Sequence, residues 1–133
     1  MMIGEVSART GLSVRTIRHY DHTGIVVPSD RSVGGFRLYS DADVRRLELV
    51  KTLRPLDLSL DQVRELLESM DRAARSDGSA EERDPALTRL AEVRALADRR
   101  VESMRGEIAG LERLVRDLRA IEHGADVDSP GRH

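Results

Sequence analysis

The sequence predicts a mainly α-helical chain, with a small winged helix-turn-helix domain followed by a long helix that pairs antiparallel as a coiled coil. Three observations carry this. Two short helical patterns meet through Gly11-Leu12-Ser13, a Gly34-Gly35 bend flanked by alternating residues follows, and an apolar 4-3 repeat fills three heptads further on. Aromatic residues are only 2% of the 133 and charged residues are 35%. Such a chain cannot build a thick independent core, so it needs thin aliphatic seams completed by a partner chain.

The elements follow in order. Ile3, Val6 and Ser7 sit at helical spacing, and the pattern stops at Gly11. Ser13 is suited to cap a second helix from Val14 to about His22, which Gly24 terminates. Its inner face carries Val14 and Ile17; Arg15, Arg18, His19 and His22 lie on the other. Val33, Gly34-Gly35 and then Phe36 to Tyr39 read as a hairpin, or wing, with both glycines supplying positive φ at the bend. Alternation places Phe36 and Leu38 on one face, facing inward, and Arg37 and Tyr39 on the other. Two helices come next, each with capping-box spacing: Ser40 with Asp43, and Ser59 with Gln62. The first turns Val44, Leu47 and Val50 inward and ends near Pro55; the second uses Leu60, Val63, Leu66 and Leu67. The predicted organisation is a winged domain over residues 1–70, a linker over 71–85, a dimerisation helix over 86–123 and a flexible tail over 124–133.

The long helix carries the strongest periodicity. Ala97, Val101, Met104, Ile108, Leu111, Val115 and Leu118 form a heptad seam, with Leu87 and Leu90 extending it upstream. Flanking charges choose the pairing. A parallel dimer would set Arg100 against Arg105 and Glu107 against Glu112, both repulsive. An antiparallel register pairs Asp98 with Arg119 and Arg105 with Glu112, each twice, and layers Ile108 on Leu111. Exposed pairs are worth only tenths of a kcal/mol each, but they decide between alternatives. The segment from Leu87 to Arg94 overhangs the partner's helix end in this register, and the partner's front domain is the expected cover.

Several function classes fall away on composition. With no cysteine there are no disulfides, thiolate metal sites or thiol catalysis. The longest stretch without Asp, Glu, Lys or Arg is His22 to Ser29, too short for a membrane span or a signal peptide, so a cytoplasmic protein is expected. The carboxylates form no nucleophile or base constellation, so no enzyme is expected; neither is a metal or a cofactor. Residues 1–58 carry a net charge of +2 and the remainder −4, a weak pointer to a polyanionic partner for the front half.

Ile3-Gly4-Glu5-Val6, the run Gly11 to Asp21 (GLSVRTIRHYD), Gly24, Gly35-Phe36-Arg37-Leu38-Tyr39-Ser40 and Leu58 to Val63 (LSLDQV) resemble, in order and spacing, the MerR family of bacterial transcription regulators. The resemblance covers residues 2 to about 69, and the long helix fits the family's dimerisation helix. It implies a homodimer on a two-fold symmetric promoter operator, which bends and untwists the spacer so that RNA polymerase, an indirect partner, engages both promoter elements. Position by position, it puts Arg15 and Thr16 in the major groove. Arg18 and Tyr20 fall on phosphate. Arg37, helped by Arg31, reaches the flanking minor groove or backbone, and Tyr39 hydrogen-bonds phosphate while its ring packs under the wing. Ser13 and His19 complete the set. His19 stands where the family often has tyrosine, and Asp57 where glycine is more usual, so the turn near Pro55 is expected to differ. Effector sensing is unassigned. The competing readings are a repressor or architectural protein without untwisting, and a coiled-coil adaptor binding protein.

Overall fold

The computed structural model describes residues 1–75 and 77–131, with side chains described through Ala125. It divides into two units, residues 1–93 and a second beginning at Arg94.

Helix α1 (Ile3–Thr10) stops because Gly11 takes φ 74° and returns its N–H to the Ser7 carbonyl. Lys51 closes the same end, donating from Nζ to the Thr10 carbonyl at 2.8 Å. In α2 (Val14–His22), the Ser13 hydroxyl accepts the Thr16 N–H at 3.0 Å, and Gly24, at φ 76°, follows the C-cap Thr23. Ile17 is the buried residue of α2; Val14 is partly covered.

The wing is shorter than its sequence suggests. Strand β1 (Asp30–Arg31) pairs antiparallel with β2 (Arg37–Leu38), matching Asp30 with Leu38 and Arg31 with Arg37. Gly35 alone of the two glycines has positive φ, and its N–H donates to the Ser32 carbonyl at 2.8 Å. The expected facing is reversed at its ends. Tyr39 is among the most deeply buried side chains, at 2% exposure, whereas Phe36 is 61% exposed. The ladder spans only two residues, so alternation has no hold beyond it. Phe36 sits in the bend, its ring over Gly34, where an added Cβ would lie 3.2 Å from it. Tyr39 is drawn inward because its N–H donates to the Met1 carbonyl at 2.7 Å, beside a bridge between Met2 and Leu38.

Both capping boxes close. Ser40 and Asp43 open α3 (Asp41–Thr52); Ser59 and Gln62 open α4 (Leu60–Ala74). Val44, Leu47 and Val50 are buried from α3, and Val63, Leu66 and Leu67 from α4. Leu60 is 41% exposed: as the first helical residue it lies at the rim of the core. A 3-10 turn (Arg54–Leu56) joins the two helices. Asp57 then takes φ 52°, ψ 38°, the left-handed conformation that glycine favours. At this position the turn therefore has the backbone a glycine would supply.

The expected linker over 71–85 is helical at both ends, because α4 runs to Ala74 and α5 runs Ala80–Gly131. Ser79 starts it, its carbonyl accepting from the Arg83 N–H at 2.9 Å and its hydroxyl from the Glu82 N–H at 3.3 Å. Pro85 falls in the second turn, where its missing N–H removes one hydrogen bond. The helix also continues past His123 into the expected tail; Arg132 and His133 lie outside the described residues.

The first unit's core joins Val6, Leu12, Ile17, Ile25, Val26 and Tyr39 to the inner faces of α3 and α4. Leu90 and Val93 pack against it, and Ala86 is buried. The segment expected to need a partner's domain is thus covered in part by its own; Leu87, on the next face, is 46% exposed. In the second unit, Val101, Met104, Ile108, Leu111, Leu114, Val115, Leu118 and Ile121 are 40–66% exposed, and Ala97 is partly covered. No described helix is long and apolar enough to cross a membrane.

Candidate nucleic-acid interface

Burial of Ile17 fixes the rotation of α2. With that side chain inside, Arg15, Arg18 and His19 are exposed on the opposite surface. Ser13 sits at the helix start with its hydroxyl committed twice, accepting the Thr16 N–H and donating to Thr16 Oγ1 at 2.8 Å. Ser13 and Thr16 therefore hold each other, and Arg15 between them is the unencumbered side chain. Tyr20 is half-buried: its ring packs against the core, 6.1 Å from the His19 ring between centroids. Its carbonyl accepts from the Ile25 N–H at 2.9 Å and the Val26 N–H at 3.3 Å, fastening the loop that leaves α2.

The wing arginines converge on that helix. Arg37 Nε donates to Asp21 Oδ2 at 2.5 Å, and Arg31 reaches the same oxygen at 3.4 Å. The hydrogen bond to Asp21 raises the Arg37 pKa, so this guanidinium is a fixed cation. Tyr39 is placed differently from its expected role. Its hydroxyl is buried without a hydrogen-bond partner among the described residues, so it is not open to a phosphate. Burial foremost, reinforced by the Asp21 carboxylate, raises its pKa, so the phenol stays protonated.

One domain thus presents an exposed arginine-bearing helix face and a two-stranded ribbon whose arginines are tied to that helix. Residues 1–70 match the model of the MerR HTH family of regulatory proteins. The chain belongs to the MerR family. The HTH-type transcriptional regulator HmrR of Rhizobium leguminosarum bv. viciae is 37% identical over 129 residues, 95% of this chain and 89% of HmrR. Four other curated relatives match over 66 residues, half of this chain, and the aligned part is only 26–30% of their own length. The fold is shared with a putative MerR regulator from Listeria monocytogenes, at TM-score 0.69 and 21% identity over 98% of each chain. It is shared also with HiNmlR, a MerR regulator lacking the sensor domain and solved on promoter DNA, at TM-score 0.55 and 21% identity, over 98% of this chain and 93% of that one.

MerR proteins are DNA-binding transcription regulators, not enzymes. Two contributors escaped the sequence reading. Asp21 lies inside the MerR motif, yet only the fold brings Arg31 and Arg37 to it. Arg64, from α4, donates to the Thr23 carbonyl at 2.6 Å and so closes the C-terminal end of α2. Nothing in the sequence signals that bond, since the two residues are 41 apart.

Proposed function

We propose that this MerR protein acts as an antiparallel homodimer on a two-fold symmetric promoter operator, where it bends and untwists the spacer to regulate transcription. The observation that carries the reading is the convergence, on one unit, of an exposed Arg15–Arg18 helix face with wing arginines anchored to that helix. A helix in the major groove flanked by a basic ribbon suits a duplex, because base edges and phosphates are then met together. Arg15 reads a base, Thr16 supports it, and Arg18 and Tyr20 hold phosphate with Ser13 and His19 beside them. The exposed seam on α5 supplies the second copy. Eight large apolar side chains on one exposed helix surface leave a cost that pairing removes.

Gel-shift titration against the protein's own upstream DNA tests the reading. Affinity should fall steeply with salt, and a slope near zero would overturn DNA binding altogether. In-vitro transcription from templates with altered spacers tests the untwisting. Shortening the spacer by about two base pairs should abolish regulation, and unchanged regulation would leave a plain repressor or architectural protein.

A further inference from the structure

Arg31 and Arg37 are direct cross-strand partners in the wing, so their side chains share one face of a two-residue ladder. Like charges placed opposite each other in this way repel and destabilise the pairing. The structure resolves the conflict with a carboxylate from another element: Asp21, on α2, accepts from both guanidiniums through Oδ2. The Asp21 side chain is only 10% exposed, whereas Arg37 is 30% and Arg31 49% exposed. The acid therefore lies beneath the two bases, which face outward. Arg37 spends Nε on this bond, and its two terminal nitrogens have no partner among the described residues. A guanidinium has five donors in a rigid fork, so holding it by Nε aims the remaining four outward.

We infer that Asp21 is a positioning residue: it holds the paired wing arginines as a preset clamp for a DNA phosphate. This rests on the DNA-binding reading above. The inference has an unusual sign. Removing an acid from a DNA-facing surface ordinarily tightens binding, because it adds positive charge. Here removal loosens binding, because the arginines lose their aim and the wing strands their neutralising partner.

The test uses the full chain and two duplexes: one selected by the wild-type chain from a random-sequence pool, and a scrambled one of equal length. Asp21→Asn should bind both duplexes about tenfold more weakly, with a salt slope smaller by about one, since a phosphate clamp is blind to sequence. Asp21→Glu, which keeps the carboxylate, should recover most of the loss. In an Arg31→Ala/Arg37→Ala background, Asp21→Asn should no longer weaken binding of either duplex. Equal or tighter binding of both duplexes by Asp21→Asn would overturn the inference. Arg37→Lys tests it without touching the acid: it keeps the charge but cannot be held through Nε, and should also weaken selected binding. Wild-type binding by Arg37→Lys would overturn the inference too. A wild-type chain that enriches no sequence would overturn the DNA-binding reading itself, a result distinct from either.

Discussion

Asp43 holds Ser29 by both of its donors: Oδ2 lies 2.7 Å from the Ser29 hydroxyl and 2.8 Å from its backbone nitrogen. The same oxygen accepts the Ser40 N–H at 2.9 Å, so one carboxylate ties the approach to the wing to the start of α3. Burial pushes the Asp43 pKa up, but the hydrogen bonds from Ser29 and Ser40 outweigh it and leave the pKa lowered. A lowered pKa in the folded state means stability that is full above the unfolded value, about 3.9, and lost as pH falls through the folded one. Asp43→Asn should cost about 2 kcal/mol in urea unfolding at neutral pH, because its amide can replace only part of this acceptor set. The wild type should lose stability below about pH 4, and the variant should lose less of it there.

Tyr39 offers a test with the opposite sign. Its hydroxyl is buried and has no partner among the described residues, which is costly, so Tyr39→Phe should leave stability unchanged or raise it by about 1 kcal/mol. DNA affinity should be unaffected. A substantial loss of affinity in Tyr39→Phe would mean that the ring swings out to phosphate on binding. Because the folded phenol has a raised pKa, its contribution is full below about pH 10 and lost as pH rises through the folded value. The wild type should therefore lose stability in alkali that the variant keeps.

Asp57 is the one non-glycine residue with positive φ among those described, at 52°. An aspartate tolerates that region at a cost, and glycine occupies it freely. Asp57→Gly should raise the unfolding free energy by about 0.5 kcal/mol, the relief of strain being partly offset by the glycine's greater freedom when unfolded. Asp57→Val should lower it by about 1–2 kcal/mol, since a β-branched side chain suits that conformation least. Thermal unfolding of the two variants side by side gives the sign directly.

These residues also mark how far the sequence could be read. Both capping boxes were legible because each closes within four residues, Ser40 to Asp43 and Ser59 to Gln62. The exposure of Arg15, Arg18 and His19 followed from helical phase once Ile17 was placed inside. The long helix was legible as a period, but its start was not: Ser79 and Glu82 have capping spacing, and Pro85 masked it. The Asp21–Arg37, Asp43–Ser29 and Arg64–Thr23 contacts join residues 14 to 41 apart, and no local pattern encodes them. Tyr39 shows the same limit: strand alternation turns it outward, but its backbone partner is Met1 and its ring packs inward, as the family resemblance implies. Helix phase and caps are local physics; where a side chain finds its partner is a property of the assembled domain.

Arg15 and Arg18 lie on one exposed face but should behave differently. Arg15→Ala should lower affinity for the selected duplex relative to scrambled DNA by about 1–3 kcal/mol, through loss of a bidentate base contact. Arg18→Ala should weaken both duplexes alike and reduce the salt slope by about one. Equal effects of the two substitutions on both duplexes would remove Arg15 from base reading.

In the proposed dimer the seam on α5 is the contact. Its apolar residues repeat at 4-3 spacing and are 40–66% exposed in the single chain, so a second copy has a continuous surface to cover. Full burial of an exposed large aliphatic side chain contributes about 1.5–3 kcal/mol, and these residues have about half of their surface left to bury, so several together favour a dimer. The wild-type chain should therefore sediment at twice 14.9 kDa. Leu111→Asp should sediment at 14.9 kDa, because its carboxylate would be buried at the centre of the pair without a partner. Register is read by disulfide trapping, made clean by a chain that has no cysteine. Arg105→Cys should link poorly to itself and efficiently to Glu112→Cys in a mixed dimer, since those positions face each other only in the antiparallel pairing. Efficient self-linking of Arg105→Cys would place the two helices in another register, and a single-chain mass for the wild type would remove the dimer.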